Sequence, residues 1–265
     1  MKAIVATTLG LISFLSAAAQ QMQGTVTYER TSQVQIRIDN MPGGLESQLP
    51  KTRTDKFDLV FGNGQSVWKA AEQDNETEDI RGEGMQIRMI VAGNDDVLYN
   101  HFANARRVEK RELFDRTFII DDSIRSMKWK MSGETKNILG LPCMKATATN
   151  ISTRSQMTME DGKMERKEIQ DTALFVAWFT SNVPVPAGPA EYQGQLPGLI
   201  LEMDISNGRQ VFKATSISEK ADLALIKEPI GKKRYTQAEF RKEREKMLDE
   251  MQQNNRGGNR VIRMN

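Results

Sequence analysis

The side chains able to do chemistry are few. His101 is the single histidine and Cys143 the single cysteine, so a multi-histidine metal site, a cysteine zinc cage and an internal disulfide are all excluded. His101 lies in Leu98-Tyr99-Asn100-His101-Phe102, with no serine or cysteine beside it in a nucleophile elbow, and reads as a strand-surface histidine. Asp95-Asp96 and Asp121-Asp122 are adjacent pairs. Neighbours on a strand point to opposite faces, so neither pair makes a carboxylate dyad, and both read as strand ends. Gly62 and Gly64 sit in a hairpin pattern rather than before a helix, so no phosphate loop is formed. Catalytic residues and cofactors are therefore expected to be none, with a hydrolase built from distant loop carboxylates as the alternative.

Methionine is the remaining ligand type, with fifteen copies. Read as a two-residue hairpin loop, Asp161-Gly162 pairs Glu160 with Lys163 and Met159 with Met164. Met157 then shares their face. Three thioethers on one patch are the soft set that selects Cu(I), although flexible core filling is methionine's commoner use. No metal site is assigned, and Met157, Met159 and Met164 stand as the alternative copper candidate.

The elements that position these residues are mostly strands. The chain has 265 residues, a formal net charge of +2, and is 27% charged and 38% hydrophobic, a globular composition without the basic excess of a nucleic-acid binder. Lys2, the apolar run Ala3 to Leu15 and the small residues Ser16 to Ala19 read as a signal peptide over 1–19, too short to span a bilayer. The expected protein is exported and soluble after cleavage, in the periplasm or at the outer membrane or cell exterior, with no transmembrane segment. Cys143, in the apolar run Ile138 to Met144, reads as buried and inert.

Asn63-Gly64, Asp161-Gly162 and Asn207-Gly208 carry the strongest short hairpin signal. The first pairs Leu59 with Trp68 and Asp58 with Lys69. The third pairs Met203 with Phe212, Glu202 with Lys213 and Leu201 with Ala214. Each hairpin then has one apolar and one polar face. Gly24–Ile38, Asp96–Phe102, Arg106–Leu113, Thr117–Asp121 and Met127–Ser132 read as further strands. Leu174 to Phe179 is apolar on both parities and predicts a central strand covered on both sides. Segments 41–54 and 72–84 read as loops. Thr236-Gln237-Ala238-Glu239 is a capping box with Tyr235 and Phe240 as a hydrophobic staple, opening a helix to about Gln252 that lies on the sheet. The expectation is mainly β: one antiparallel domain over 20–235, a strongly curved sheet or partly open barrel, then a helix over 236–253 and a flexible tail over 254–265.

From Val176-Ala177-Trp178-Phe179-Thr180 through Pro184, Gly188-Pro189 and Tyr192 to Leu196-Pro197-Gly198-Leu199-Ile200, the chain resembles the GLPGLI family. Gly24 to Tyr28, the Trp129 segment, Ile138 to Cys143 and Arg260-Val261-Ile262 extend the likeness over nearly all of the chain beyond the signal. Gln195 stands where the family has its first glycine, and a positive φ there would strain glutamine by about 1 kcal/mol or more. The resemblance implies an exported, β-rich protein of Gram-negative bacteria and brings no activity, catalytic residue or cofactor.

Pro197-Gly198 suits a type II turn, with Gly198 supplying positive φ. The stiff loop before it has two readings. One is the lip of a ligand cleft formed by Trp178, Gly188, Pro189, Tyr192, Leu196, Pro197, Gly198, Leu199 and Ile200. The other is a structural crossover between buried strands. The functional expectation is a non-catalytic cell-envelope protein binding a small apolar ligand or an envelope protein partner, with no nucleic acid.

Overall fold

A computed structural model describes residues 22–33, 51–71, 79–82, 85–88, 96–113, 115–160 and 163–256. The strands are β1 (Gly24–Gln33), β2 (Thr52–Gly62), β3 (Gln65–Ala70), β4 (Asp79–Gly82), β5 (Met85–Arg88), β6 (Val97–His101), β7 (Arg106–Leu113), β8 (Arg116–Ser123), β9 (Lys130–Ile138), β10 (Leu141–Glu160), β11 (Lys163–Thr180), β12 (Leu199–Ile205), β13 (Gln210–Ser218) and β14 (Arg234–Tyr235), followed by helix α1 (Gln237–Arg256). Twelve of them form one sheet in the order β14-β8-β7-β6-β3-β2-β1-β13-β12-β11-β10-β9, while β4 and β5 pair separately. Every pair is antiparallel except β14 with β8. The end strands β14 and β9 do not meet, so the sheet is open. The expected mainly β, single-sheet architecture with a C-terminal helix is the one observed.

Local chemistry fixes the register. Asn63 (φ 53°) and Gly64 (φ 71°) both take the left-handed conformation that a type I′ turn demands. Leu59 accordingly faces Trp68, and Asp58 faces Lys69. Glu202 pairs with Lys213 and Met203 with Phe212 across the hairpin at Asn207-Gly208. Asp161-Gly162 lies outside the described residues, yet the flanking pairs Glu160–Lys163 and Met159–Met164 have the expected register. A further tight turn joins β9 to β10 at Leu139 (φ 51°) and Gly140 (φ 81°), where the Asn137 Oδ1 accepts from the Gly140 N–H at 2.9 Å.

Two expected loops contain strand. The segment read as a loop over 41–54 already runs as β2 from Thr52, and the one over 72–84 contains β4; their remaining residues, except Lys51, lie outside the described set. Composition misled because the first half of β2 pairs through polar side chains rather than apolar burial. Arg30 and Arg53 both bind Asp55, and Thr31 meets Thr54. The strand expected over Met127–Ser132 starts only at Lys130; of the strand expected over Gly24–Ile38, Gly24–Gln33 is observed and 34–38 lie outside the described residues. Residues 1–19, expected as a signal peptide, lie outside the described residues.

One face of the sheet is concave. Trp68 on β3 and Phe212 on β13 sit three strand spacings apart, about 14 Å in a flat sheet, yet their ring centroids are 6.0 Å apart. Tyr28, Phe61, Met203 and Phe179 are fully buried in this core. On the opposite face the segment between β13 and β14 straps over Val67, Tyr99, Val108 and Ile119 through Ile226. The strap also reaches β2, where Leu223 stands against Gly62, and β1, where Thr25 donates to the Lys220 carbonyl. The prediction that residues 174–179 are covered on both sides is corrected: Phe175, Ala177 and Phe179 are buried, but Leu174 is 37% exposed.

Helix α1 begins as the capping box requires. The Thr236 Oγ1 accepts from the Glu239 N–H at 3.2 Å, and Glu239 Oε2 accepts from the Thr236 N–H at 2.7 Å. The staple closes through a third ring, since Tyr235 and Phe240 both pack edge-on to Phe118 on β8. Phe240 and Met247 are the buried helix residues of that cluster.

Candidate functional site

The segment between β11 and β12, residues 181–198, folds back against β12. The Leu199 N–H donates to the Val183 carbonyl at 3.1 Å and the Ile200 N–H to the Ala187 carbonyl at 3.0 Å. Val183, Val185, Gly188, Pro189, Tyr192, Leu196, Leu199 and Ile200 are buried, while Pro197 is exposed. The loop is thus part of the core and fills the concave face. Tyr192 packs against Phe175 at 5.6 Å and Phe212 at 6.4 Å, and burial pushes its phenol well above the ordinary range.

A buried polar chain anchors the loop to the other half of the sheet. Ser66 donates to Gln193 Oε1 at 2.6 Å, Asn100 donates to the Ser66 Oγ at 3.5 Å, and Gln193 Nε2 donates to the Ala190 carbonyl at 3.1 Å. All three side chains are essentially inaccessible, so their mutual pairing avoids the cost of orphaned polar groups.

Gly198 lies outside the left-handed region, which overturns the type II turn. Its need for glycine is steric instead: a Cβ there would stand 2.2 Å from the Thr180 carbonyl oxygen. The left-handed residues of this loop are Ala190 (φ 47°) and Gly194 (φ 75°). Because Gly194 takes the reversal, Gln195 escapes the strain considered for it. Its Oε1 accepts from the Met127 N–H at 3.2 Å and the Trp129 indole N–H at 3.1 Å, and its Nε2 donates to the Glu191 carbonyl at 3.4 Å. Gln195 is thus a clamp between the loop and the segment entering β9.

Trp178 is set apart from this loop. It faces away from Ala177, with Lys136 Nζ 4.3 Å and Lys145 Nζ 5.8 Å from its ring centroid. These lysines are themselves paired, Lys136 with Glu202 at 2.8 Å and Lys145 with Glu134 at 2.9 Å. Trp178 and Tyr192 therefore do not frame a common opening.

The sequence-singled carboxylates hold structure together. Asp121 and Asp122 point to opposite faces as expected. Asp121 takes a two-point bond from Arg106 at 2.9 and 2.8 Å and one from Arg234 at 2.8 Å. Glu228 on the strap takes the other side of Arg106 at 2.8 and 2.9 Å. Hydrogen bonds from Arg106 hold both carboxyls below their usual range. Asp122 accepts from the Gln237 N–H at 3.0 Å, receiving the first turn of α1. Asp96 caps the Glu112 N–H at 2.9 Å, and burial raises its pKa; Asp95 lies outside the described residues. Cys143 is fully buried, with its thiol pushed up by burial.

The strands at the β9 end look different. Met131 (56% exposed), Leu139 (43%), Met144 (40%), Ile151 (64%) and Leu174 (37%) are large apolar residues on β9–β11 or their connecting turn. β9 pairs with β10 only over Leu141–Thr147, and β12 pairs with β11 only from Phe175. Beyond those points β10 and β11, among the described residues, pair only with each other, to Glu160–Lys163. This two-stranded ribbon reaches about 35 Å past the sheet. Met157, Met159 and Met164 lie at its far end. Among the described residues no group of three or more His, Cys, Asp or Glu is arranged to hold a metal ion, and no helix is long and apolar enough to cross a membrane.

Residues 129–202, from Trp129 through the motif, match a family model described as a protein of unknown function (Porph_ging). A solved structure of PNGF-II is similar at 16% identity over 83% of this chain and 32% of that chain, with a TM-score of 0.48; this chain spans about a third of it. LprF from Mycobacterium bovis is similar at 14% identity over 80% of this chain and 92% of that one, with a TM-score of 0.27. No curated protein matches the chain.

Proposed function

We propose that this chain is an exported, non-catalytic cell-envelope protein of GLPGLI type that binds a protein partner through the β9–β11 end of its sheet. The observation that carries the reading is the gathering of Met131, Leu139, Met144, Ile151 and Leu174 as exposed apolar residues there. By strand parity Met131 and Met144 share the Ala146 face and Ile151 and Leu174 the opposite one, so apolar side chains stand open on both faces of that end, and exposed apolar patches mark interaction sites. A protein fits it better than an anionic lipid surface. Its lysines are already balanced by carboxylates in the Lys136–Glu202 and Lys145–Glu134 pairs, whereas a lipid surface rewards unbalanced positive charge. A small apolar ligand within the concave face is disfavoured, because Leu196, Leu199, Ile200 and Tyr192 fill that space. The hydrolase alternative is disfavoured because Asp121, Asp122 and Glu228 hold the strap and helix in place. Export rests on residues 1–19.

Photocrosslinking in the native envelope tests the reading. A crosslinker at Leu174 should capture one protein, and one at Lys242 on α1 should not. Ile151→Ser with Leu174→Ser should abolish the complex while the fold is kept. Equal capture at both positions, or a complex indifferent to the double variant, overturns it.

A further inference from the structure

We propose that the strap between β13 and β14, residues 219–233, docks on an anionic lipid surface through Leu225, Lys227, Ile230 and Lys232. Its inner side is fixed to the sheet at three points. A Cβ on Gly62 would stand 2.4 Å from Leu223 Cδ2, and one on Gly231 would stand 2.5 Å from Ile119 Cγ1, so the strap lies directly on β2 and β8 there. Between them Ile226 packs against Val67, Tyr99, Val108 and Ile119. Glu228 adds an ionic fastening, at 2.8 Å from both Arg106 and Arg234.

The residues between these anchors are turned outward. Ile230 is 86% exposed and Leu225 45%, and Lys227, Lys232 and Lys233 are exposed beside them. An isoleucine that adjoins a pinned glycine is held out by the fold, which preorganises it for contact.

Charge selects the occupant. From Leu223 to Arg234 the one acid is Glu228, and the two arginines take up its carboxylate. Lys227 and Lys232 pair with no carboxylate among the described residues, and Lys233 lies 4.3 Å over the Tyr235 ring. This is the reverse of the β9–β11 end, where Lys136 and Lys145 each have a carboxylate partner. Unbalanced lysines attract anionic headgroups, while protruding aliphatic side chains enter the acyl boundary below them. Lysine stems lie along apolar surface and keep the ammonium at headgroup level. A protein partner fits less well, because lysine is depleted at protein interfaces and aromatic residues are enriched. This surface is separate from the β9–β11 end, so its role is independent of the protein-binding reading.

The purified chain, with Cys143→Ala, carries an environment-sensitive dye at Ile230→Cys or, in a second sample, at Lys246→Cys on α1. It is mixed with vesicles of phosphatidylcholine alone, or of equal parts phosphatidylcholine and phosphatidylglycerol. With the anionic vesicles the dye at Ile230→Cys should shift to the blue and be quenched by brominated acyl chains, and salt should reverse the shift. The dye at Lys246→Cys should do neither. Adhesion through any other part of the chain leaves the strap dye unshifted. In sedimentation with the same vesicles, Lys227→Gln with Lys232→Gln should weaken binding about 25-fold, about fivefold per lysine. Ile230→Ser should weaken it about tenfold, and Lys242→Gln with Lys246→Gln should leave it unchanged. An unshifted dye at Ile230→Cys, binding indifferent to the strap variants, or equal binding to phosphatidylcholine alone overturns the proposal. An acidic protein captured by a crosslinker at Ile230, with no vesicle binding, overturns it in favour of a protein partner.

Discussion

Replacing Gly198 by alanine separates two reasons for a glycine. The residue is outside the left-handed region, so alanine meets no backbone penalty there. Its Cβ would instead stand 2.2 Å from the Thr180 carbonyl oxygen and 2.9 Å from the Thr180 carbonyl carbon, where real Cβ atoms essentially never come within 3.0 Å. The obstacle is backbone at the end of β11, directly paired with Leu199, and it has no rotamer with which to yield. Overpacking costs about 1–3 kcal/mol, and the rigid obstacle puts Gly198→Ala near the top, about 3 kcal/mol. At about 2–4 °C per kcal/mol for a domain of this size, the melting temperature should fall by roughly 6–12 °C.

Asparagine makes the test decisive. A type II turn accepts asparagine at its positive-φ position, so Gly198→Asn would be nearly neutral if the motif were such a turn. With the Thr180 oxygen in the way, it should be at least as damaging as alanine. Gly140 supplies the converse case: its φ is 81° with nothing within 4 Å of a built Cβ, so alanine there should cost only about 1 kcal/mol. Differential scanning calorimetry of the three variants checks the order. A Gly198→Asn protein within about 0.5 kcal/mol of the parent would refute the steric account.

Gln195→Ala should cost about 1–2 kcal/mol by orphaning the Trp129 indole and Met127 amide, and should shift Trp129 fluorescence to the red. Acid unfolding should depend on Arg106. Asp121 and Glu228 have folded pKa values held below their ordinary ones by that guanidinium, so their contribution is complete above the unfolded carboxylate range, about 3.9–4.3, and is lost as pH falls through it toward the folded values. Arg106→Met should flatten that acid limb in thermal melts, and a limb of unchanged steepness would count against the network.

Local chemistry was legible in the sequence and distant chemistry was not. Asn63-Gly64 specifies its turn because both residues accept positive φ, and Thr236 with Glu239 specifies a helix start because both bonds close within one turn. Leu139-Gly140 escaped because leucine rarely takes φ near 51°; its signal was Asn137, whose side chain reaches the Gly140 amide. The first half of β2 escaped because its partners Arg30 and Thr31 are polar. Gly198 was recognised as important and misassigned, since a sequence does not distinguish a glycine needed for φ from one needed for clearance. The Gln195 clamp reaches 66 and 68 residues back in the chain, beyond any local pattern.

The covering of this sheet argues for where its function lies. A twelve-stranded open sheet has two faces and two edges to protect from unwanted pairing. The concave face is filled by residues 181–198, and the β3–β8 half of the other face is closed by the strap that Arg106 and Arg234 fasten. One edge, β14, is only two residues long. The other, β9, is broken by a register shift around Gly133 (φ 76°) and carries Lys130 and Lys136, both devices that discourage strand addition. The fold thus blocks indiscriminate backbone pairing at both ends. Against that thorough covering, the apolar side chains left open on β9–β11 are exceptions concentrated at one end. Met131, Met144, Ile151 and Leu174 stand outside the buried core. On the proposed reading, a partner there would be gripped through side chains rather than through a free strand edge.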